Sequence, residues 1–139
     1  MVKSKRIVRS FINFLFQEYS VPRIPVRLYW YYPAILVENR GTVAPAFGCY
    51  HHDDDDKTSR CIHAIAGTKF GTNMTLRIIA HEFVHYLQDI HNRDFNGSEE
   101  EEAAYYADAL VGKFLQNRRK NGIHIDGVLT VWEPPKEDA

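Results

Sequence analysis

Residues 78–91, IIAHEFVHYLQDIH, contain side chains that can bind a metal ion and activate water. His81 and His85 are four residues apart, so on an α-helix they lie on one face and can each offer an imidazole nitrogen to one ion. Glu82 lies one step further round the helix, where its carboxylate can take a proton from water without binding the metal. The spacing therefore predicts a zinc site with Glu82 as general base.

The surrounding residues predict the helix that this spacing needs. Residues 72–92 contain neither proline nor glycine, and their apolar side chains recur at the spacing of one helical face. This apolar stripe consists of Leu76, Ile79, Ala80, Phe83, Leu87 and Ile90. Because each residue turns a helix by about 100°, the two histidines lie about 160° from Phe83. We expect them to point away from the buried face of their own helix, toward a cleft.

Catalytic zinc usually has three protein ligands, so a third ligand is needed. His91 completes the spacing His-x3-His-x5-His of the metzincins. In that arrangement a glycine lets the chain turn back toward the metal, whereas this chain has Gln88 at that position. On a continuous helix, the His91 side chain lies about 120° round from His85 and about 9 Å further along. We therefore expect the third ligand to come from another element.

The next predicted helix, from about Ser98 to Lys120, offers several carboxylates. Ser98 is a suitable N-cap, and the glutamates of the first turn interact favourably with the helix dipole. Glu100 precedes an apolar stripe in which small residues let another helix approach closely; its members are Ala103, Ala104, Ala107, Val111 and Phe114. Glu101 shares a face with Asp108, which indicates exposure to solvent. Glu100 is the expected third ligand, with Glu99 and then Glu102 as alternatives.

The two segments together resemble a known group of peptidases. AHEFVH followed by EEEAAYYADAL is similar to the Glu-zincins, and most similar to the ImmA/IrrE-like metallopeptidases, over roughly residues 45–115. The pattern is also similar to those of the HtpX-like peptidases and the minigluzincins. The resemblance implies a zincin-like fold, zinc bound by His81, His85 and Glu100, and Glu82 as catalytic base.

One position departs from the pattern of these families. Ala104 stands where they usually place Asn or Asp, a residue that often supports a metal ligand through a hydrogen bond. Asp89 and Asp108 are the candidates to provide such support here.

The remaining segments predict a small α+β domain spanning residues 1–139. Residues 1–20 have apolar side chains at helical spacing, which favours an N-terminal amphipathic helix over a targeting segment. Residues 23–40, 42–50 and 60–67 are rich in β-branched and aromatic residues and predict a short, mostly antiparallel sheet with a β-hairpin. Residues 51–59, HHDDDDKTS, are expected to be an exposed hairpin loop, and residues 122–139 to contain one short strand. The helix with His-Glu-x-x-His is expected to pack on the second long helix.

Composition limits the partners that need to be considered. The formal net charge of −1 gives no attraction to nucleic acid or to an anionic membrane surface. No apolar run reaches the length that spans a bilayer. Two cysteines, Cys49 and Cys61, make no disulfide framework, so we expect free thiols and a cytoplasmic protein.

The expected partner is a peptide or protein substrate. The resemblance implies that the edge strand of a β-hairpin lines the cleft, and residues 61–66 are expected to be that edge. A substrate segment would add to it as a strand, along His63, Ala64 and Ile65, with Tyr106 also at the substrate. The candidates to stabilise an oxyanion are Tyr105, Tyr106 and His63.

Two other functions are compatible with the same residues. A regulatory or inhibitory protein could keep the zinc site without turnover. A structural zinc domain would need a fourth protein ligand, for which His91 and Cys61 are the candidates.

Overall fold

The structure, a computed structural model, describes residues 2–39, 41–53, 56–67, 71–91 and 98–120. Its elements in chain order are α1 (Val2–Tyr19), β1 (Val26–Trp30), β2 (Ile35–Asn39), β3 (Thr42–Ala46), β4 (Gly48–Asp53), β5 (Asp56–Ala66), α2 (Thr72–His91) and α3 (Glu99–Lys120). The short strand expected in residues 122–139 lies outside the described residues. Within the described part of the chain, no helix combines the length and the hydropathy needed to cross a lipid bilayer.

The strands form a three-stranded sheet and a separate hairpin. In the sheet the order is β1-β5-β4, with β5 parallel to β1 and antiparallel to β4. The hairpin pairs β2 with β3, and Gly41 in its turn has a φ of 82°, a conformation that glycine adopts without steric cost. The predicted α+β class is confirmed, but the sheet is mixed rather than mostly antiparallel. β1 and β5 can pair in parallel because a long connection, which contains β2, β3 and β4, separates them in the chain.

Helix α2 lies at the centre of the hydrophobic core. Leu76, Ile79 and Phe83 of its apolar stripe are completely buried, as the periodicity predicts. This face packs against β5 and β4 of the sheet and against α1, where the ring of Phe16 meets that of Phe83 edge-on at 5.2 Å between centroids. Burial of the stripe turns His81 toward the opposite side of the helix, where α3 lies.

Helix α3 packs along α2 through small residues. The main-chain N–H of Glu102 donates to the carbonyl of Ser98 at 3.0 Å, so the helix begins at the predicted place. Ala103 and Ala107 are buried in the contact, and the absence of longer side chains there lets the two helices approach closely. Ala104 is exposed instead. The close packing brings the first turn of α3, with Glu100, beside the histidines of α2.

Candidate metal centre

Three side chains from two helices converge at the cleft between α2 and α3. Nε2 of His81 lies 2.9 Å from Oε2 of Glu100, and Nε2 of His85 lies 3.0 Å from Oε1 of the same carboxylate. The two imidazole Nε2 atoms are 3.2 Å apart. We call His81, His85 and Glu100 the metal centre, because together they form a group that could hold a metal ion.

The chemistry and spacing of this group fit zinc. Two imidazole nitrogens and one carboxylate oxygen form a donor set found in catalytic zinc sites. With metal–ligand distances of about 2.0–2.2 Å, tetrahedral ligand atoms lie about 3.3 Å apart. The observed separations of 2.9–3.2 Å, which involve both oxygens of Glu100, are somewhat shorter than that value, and one ligand atom from each residue lies within 4.8 Å of the others. Each of these atoms carries a lone pair when His81 and His85 are neutral with Nε2 unprotonated, and one cation between them would satisfy all three.

The alternative ligands lie elsewhere. Glu102 directs a carboxylate oxygen to the Gln88 amide, and the main-chain carbonyl of Glu99 accepts from the same amide. His91 is exposed at the end of α2, and Cys61 is buried in β5. Among the residues that the structure describes, the possible metal-binding group has three members. The described residues therefore supply no fourth protein ligand that would close the site.

Glu82 lies beside the metal centre but is buried under strand β4. Its side chain is 8% exposed, and it accepts a hydrogen bond from the main-chain N–H of Tyr50. Burial is the main cause that raises the pKa of Glu82 to about 7, and the nearby carboxylate of Glu100 adds to the rise, while His85 and the Tyr50 N–H oppose it. A carboxylate with a pKa near neutrality can both take up and release a proton at physiological pH.

The raised pKa makes the stability of the metal-free protein depend on pH. Between the ordinary value of 4.5 and about 7, folded Glu82 keeps a proton that the unfolded chain has released, so the free energy of unfolding falls as pH rises. The expected loss is up to about 3 kcal/mol. Urea unfolding of metal-free protein at pH 5 and pH 8 measures it. In Glu82→Gln, which resembles the protonated acid at both pH values, this part of the pH dependence should disappear; an unchanged slope would contradict the assignment.

Gly48 lets strand β4 cover Glu82 closely. A Cβ atom at this position would lie 2.8 Å from Cγ2 of Ile78 and 3.0 Å from Oε2 of Glu82. These separations are shorter than normal contacts, so any larger residue must displace the strand, the Ile78 side chain or the carboxylate.

Gly48→Ala should therefore destabilise the protein and, if Glu82 takes part in a reaction, slow that reaction as well. We expect a stability loss of about 1–3 kcal/mol from overpacking, and about a 100-fold loss of activity if the carboxylate moves by about 1 Å. Gly41→Ala is the matched control, because its Cβ meets no atom within 4 Å but its φ of 82° is strained for alanine. The control should lose stability without losing specific activity. Melting temperature and hydrolysis rate, measured on both variants, separate the two effects.

Two cavities, called here the polar hollow and the apolar hollow, adjoin the metal centre. Gly48, His81 and Glu82 line both of them. The polar hollow has a volume of about 570 Å³ and extends past Tyr50, His52, Asp89 and Glu99. The apolar hollow has a volume of about 430 Å³ and is bordered by Phe47, Met74, Ile78, Ala104 and Ala107. Glu82 therefore contributes to the walls of both cavities, although it is only 8% exposed.

The two aspartates expected to support a metal ligand are engaged elsewhere. Asp89 accepts hydrogen bonds from the Tyr50 hydroxyl at 2.6 Å and from Nε of Arg60 at 3.0 Å. Burial alone would raise the pKa of Asp89, but these two hydrogen bonds outweigh it and hold the pKa below its ordinary value. Asp108 forms an ion pair with Arg77 at 3.1 Å. Neither aspartate contacts the histidines, and the amide of Gln88 lies against His85 instead, 2.7 Å from its Nδ1.

The expectation that residues 61–66 form the edge of the cleft is wrong. They belong to β5, which is paired on both sides, and Ala64 and Ile65 are buried. Nδ1 of His63 lies 2.9 Å from the hydroxyl of Tyr29 on β1. The order of the strands in the sheet, rather than proximity in sequence, decides which strand has an unpaired edge. Beside the metal centre, the strand with an unpaired edge is β4.

The aromatic residues proposed for the cleft also lie outside it. Tyr106 borders a different hollow of about 240 Å³, together with Tyr19 and Leu87. The ring of Tyr105 stacks edge-on against that of Tyr106 on the exposed side of α3. Neither tyrosine lines the two hollows that contain Glu82.

Sequence analysis missed three residues at the site: Gly48, Tyr50 and Gln88. Gly48 and Tyr50 carry no motif that distinguishes them from other strand residues. Gln88 could have been found, because it lies three residues after His85 and so shares a face with it on the helix.

Comparisons with known proteins give no family assignment. No protein-family model, no curated protein and no solved structure matches this chain.

Proposed function

We propose that this protein is a zinc-dependent metallopeptidase of the gluzincin type. The observation that carries the proposal is the convergence of His81, His85 and Glu100 beside Glu82, a largely buried carboxylate that borders two cavities. The resemblance of the two helical segments to those of the ImmA/IrrE-like metallopeptidases supports it. The zincin-like fold is part of the proposal.

Each residue of the site has a separate role in the proposed reaction. Zinc, when bound, supplies Lewis acidity that polarises a carbonyl and acidifies water. His81, His85 and Glu100 would hold the ion. Glu82 accepts the proton of the attacking water and delivers it to the amine that leaves. Its burial beneath β4 keeps the carboxylate in one place through both proton transfers.

Strand β4 is the surface on which we expect a substrate to bind. One edge of β4 is paired with β5. At the start of this pairing, the main-chain carbonyl of Phe47 accepts a hydrogen bond from the N–H of Ile65. The Tyr50 N–H points the other way, to Glu82. Main-chain groups alternate along a strand, so Gly48 presents its own N–H and C=O to the cleft. An extended peptide could pair with this edge through main-chain hydrogen bonds, which would place one of its peptide bonds near Glu82.

The proposal is tested with a mixture of peptides rather than one guessed substrate. Zinc-loaded protein is incubated with a peptide library prepared from a proteome digest, and new amino termini are identified by mass spectrometry. Cleavage should require metal: removal of zinc by a chelator should abolish it and added zinc should restore it. Cleavage that persists without metal would contradict the mechanism.

The same experiment distinguishes the alternatives. Zinc binding without any cleavage would favour a regulatory or inhibitory zinc protein. Failure to bind zinc would remove both functions. A structural zinc domain predicts that chelation unfolds the protein, whereas here the buried apolar cluster formed by α1, β5, α2 and α3 does not include His81, His85 or Glu100 and should stay folded.

A further inference from the structure

Gln88 connects the metal centre to the first turn of α3. It is 7% exposed, and its side-chain oxygen lies 2.7 Å from Nδ1 of His85. Its amide nitrogen donates to the main-chain carbonyl of Glu99 at 3.2 Å and to a carboxylate oxygen of Glu102 at 3.1 Å. The Gln88 amide is buried and contacts three polar groups on two helices. Because leaving any of these buried groups unpaired would cost stability, the orientation of the amide is well defined.

The partners of Gln88 determine how its amide is oriented. The Glu99 carbonyl and the Glu102 carboxylate are both acceptors, so they must face the amide NH2 group. The side-chain oxygen is therefore directed at His85, whose Nδ1 must carry the hydrogen of that bond. In neutral His85 the proton then lies on Nδ1, and the lone pair of Nε2 points toward His81 and Glu100.

We propose that Gln88 is a positioning residue for the metal centre. It selects the tautomer of His85 that can bind an ion through Nε2, and it fixes the plane of the imidazole ring. Through Glu99 and Glu102 it also ties α2 to the turn of α3 that carries Glu100. The inference rests on the proposed function, since it concerns the same zinc site.

In the families that the sequence resembles, the residue after Glu-x-x-Ala often supports a metal ligand through a hydrogen bond. Gln88 can provide that support in this chain. Ala104 has no polar side chain, while Asp89 and Asp108 are held by Arg60 and Arg77. A hydrogen bond from the second imidazole nitrogen to an acceptor raises the affinity of a histidine for its metal and restricts its rotation. Gln88 supplies that acceptor from within the same helix, one turn after the ligand.

The test compares two changes at Gln88 with a neighbouring control. Gln88→Met keeps the volume but removes the acceptor, and we expect zinc affinity to fall by about 10–100-fold. The double variant Gln88→Glu with Glu102→Gln exchanges the two side chains. An acceptor then faces His85 again and the residue-102 amide can donate to residue 88, although the Glu99 carbonyl loses its donor. We expect the double variant to recover part of the lost affinity. Tyr86→Phe removes a buried hydrogen bond of the next-but-one residue, to the Pro22 carbonyl, and should leave zinc affinity unchanged.

Two readouts separate positioning from general damage to the fold. Zinc affinity is measured by competition with a chromophoric chelator, and the Nδ1–H of His85 is observed by 15N-resolved NMR. That proton signal should be present in the wild type and in the double variant and absent in Gln88→Met. Equal zinc affinities of wild type and Gln88→Met, or equal losses in Gln88→Met and Tyr86→Phe, would overturn the positioning role alone. A wild-type protein that does not bind zinc would overturn the proposed function.

Discussion

Glu82→Gln is expected to slow peptide hydrolysis by about 10²–10⁴-fold while the protein keeps its zinc. The glutamine side chain has the same shape, so it can occupy the space beneath Gly48 and accept the N–H of Tyr50. It cannot take a proton from water at neutral pH. Because Glu82 is not one of the residues that could bind the ion, the zinc content of the variant should equal that of the wild type. Rates on a cleaved peptide, together with zinc content per protein chain, measure both halves of this prediction.

A second acidic residue of the cleft provides the comparison. Glu99→Gln makes the same chemical change in the polar hollow, but the contact of Glu99 with Gln88 uses its main chain. This variant should cut at a rate close to that of the wild type. If Glu82→Gln retained full activity with full zinc occupancy, another group would have to be the general base. If it lost zinc as well as activity, its carboxylate would belong to the ligands instead.

Glu100→Gln should weaken zinc binding by more than 100-fold, a larger effect than the 10–100-fold typical of residues that only support a ligand. The substitution removes the negative charge that faces both imidazoles and replaces half of the carboxylate with an amide. Zinc stabilises the folded protein in proportion to the logarithm of its affinity. At a concentration 1,000 times the wild-type dissociation constant, the gain of about 4 kcal/mol should fall to about 1.4 kcal/mol or less. Thermal unfolding with and without zinc measures this difference.

Glu101→Gln is the matched control for this change. It removes the same charge from the same turn of α3, so it has the same effect on the helix dipole, but Glu101 is exposed and outside the metal centre. Its zinc-dependent stabilisation should equal that of the wild type. Equal losses in the two variants would show that the first turn acts through general electrostatics and that Glu100 is not a ligand.

The two experiments address different parts of the site. Loss of zinc in Glu100→Gln with retention in Glu82→Gln would separate metal binding from proton transfer. A protein that binds zinc through Glu100 but cleaves no peptide, even with Glu82 intact, would act as a zinc-binding regulatory protein. The geometry of Glu82 argues against that outcome, since burying a carboxylate beneath Gly48 costs stability that such a protein would have no reason to accept.

The amino-acid sequence by itself determined the helical features of this protein. The spacing of His81 and His85 and the apolar stripe through Phe83 follow from a repeat of 3.6 residues that the helical backbone imposes. The prediction that Glu100 lies nearest to the two histidines used the same periodicity, together with the small size of the alanines that follow it. The helical spacing and the apolar stripe depend on neighbours within a few turns, so they can be derived without knowledge of distant contacts; the position of Glu100 also depends on how α3 packs on α2.

Only the tertiary structure decided which strand lies beside the metal centre and what surrounds Glu82 and His85. The free edge belongs to β4 because β5 inserts between it and β1, a pairing of segments far apart in sequence. The raised pKa of Glu82 depends on the strand that covers it, and the orientation of the Gln88 amide depends on acceptors from α3. Strand order, desolvation and hydrogen bonds between elements arise when separate segments meet, and no local pattern of residues specifies them.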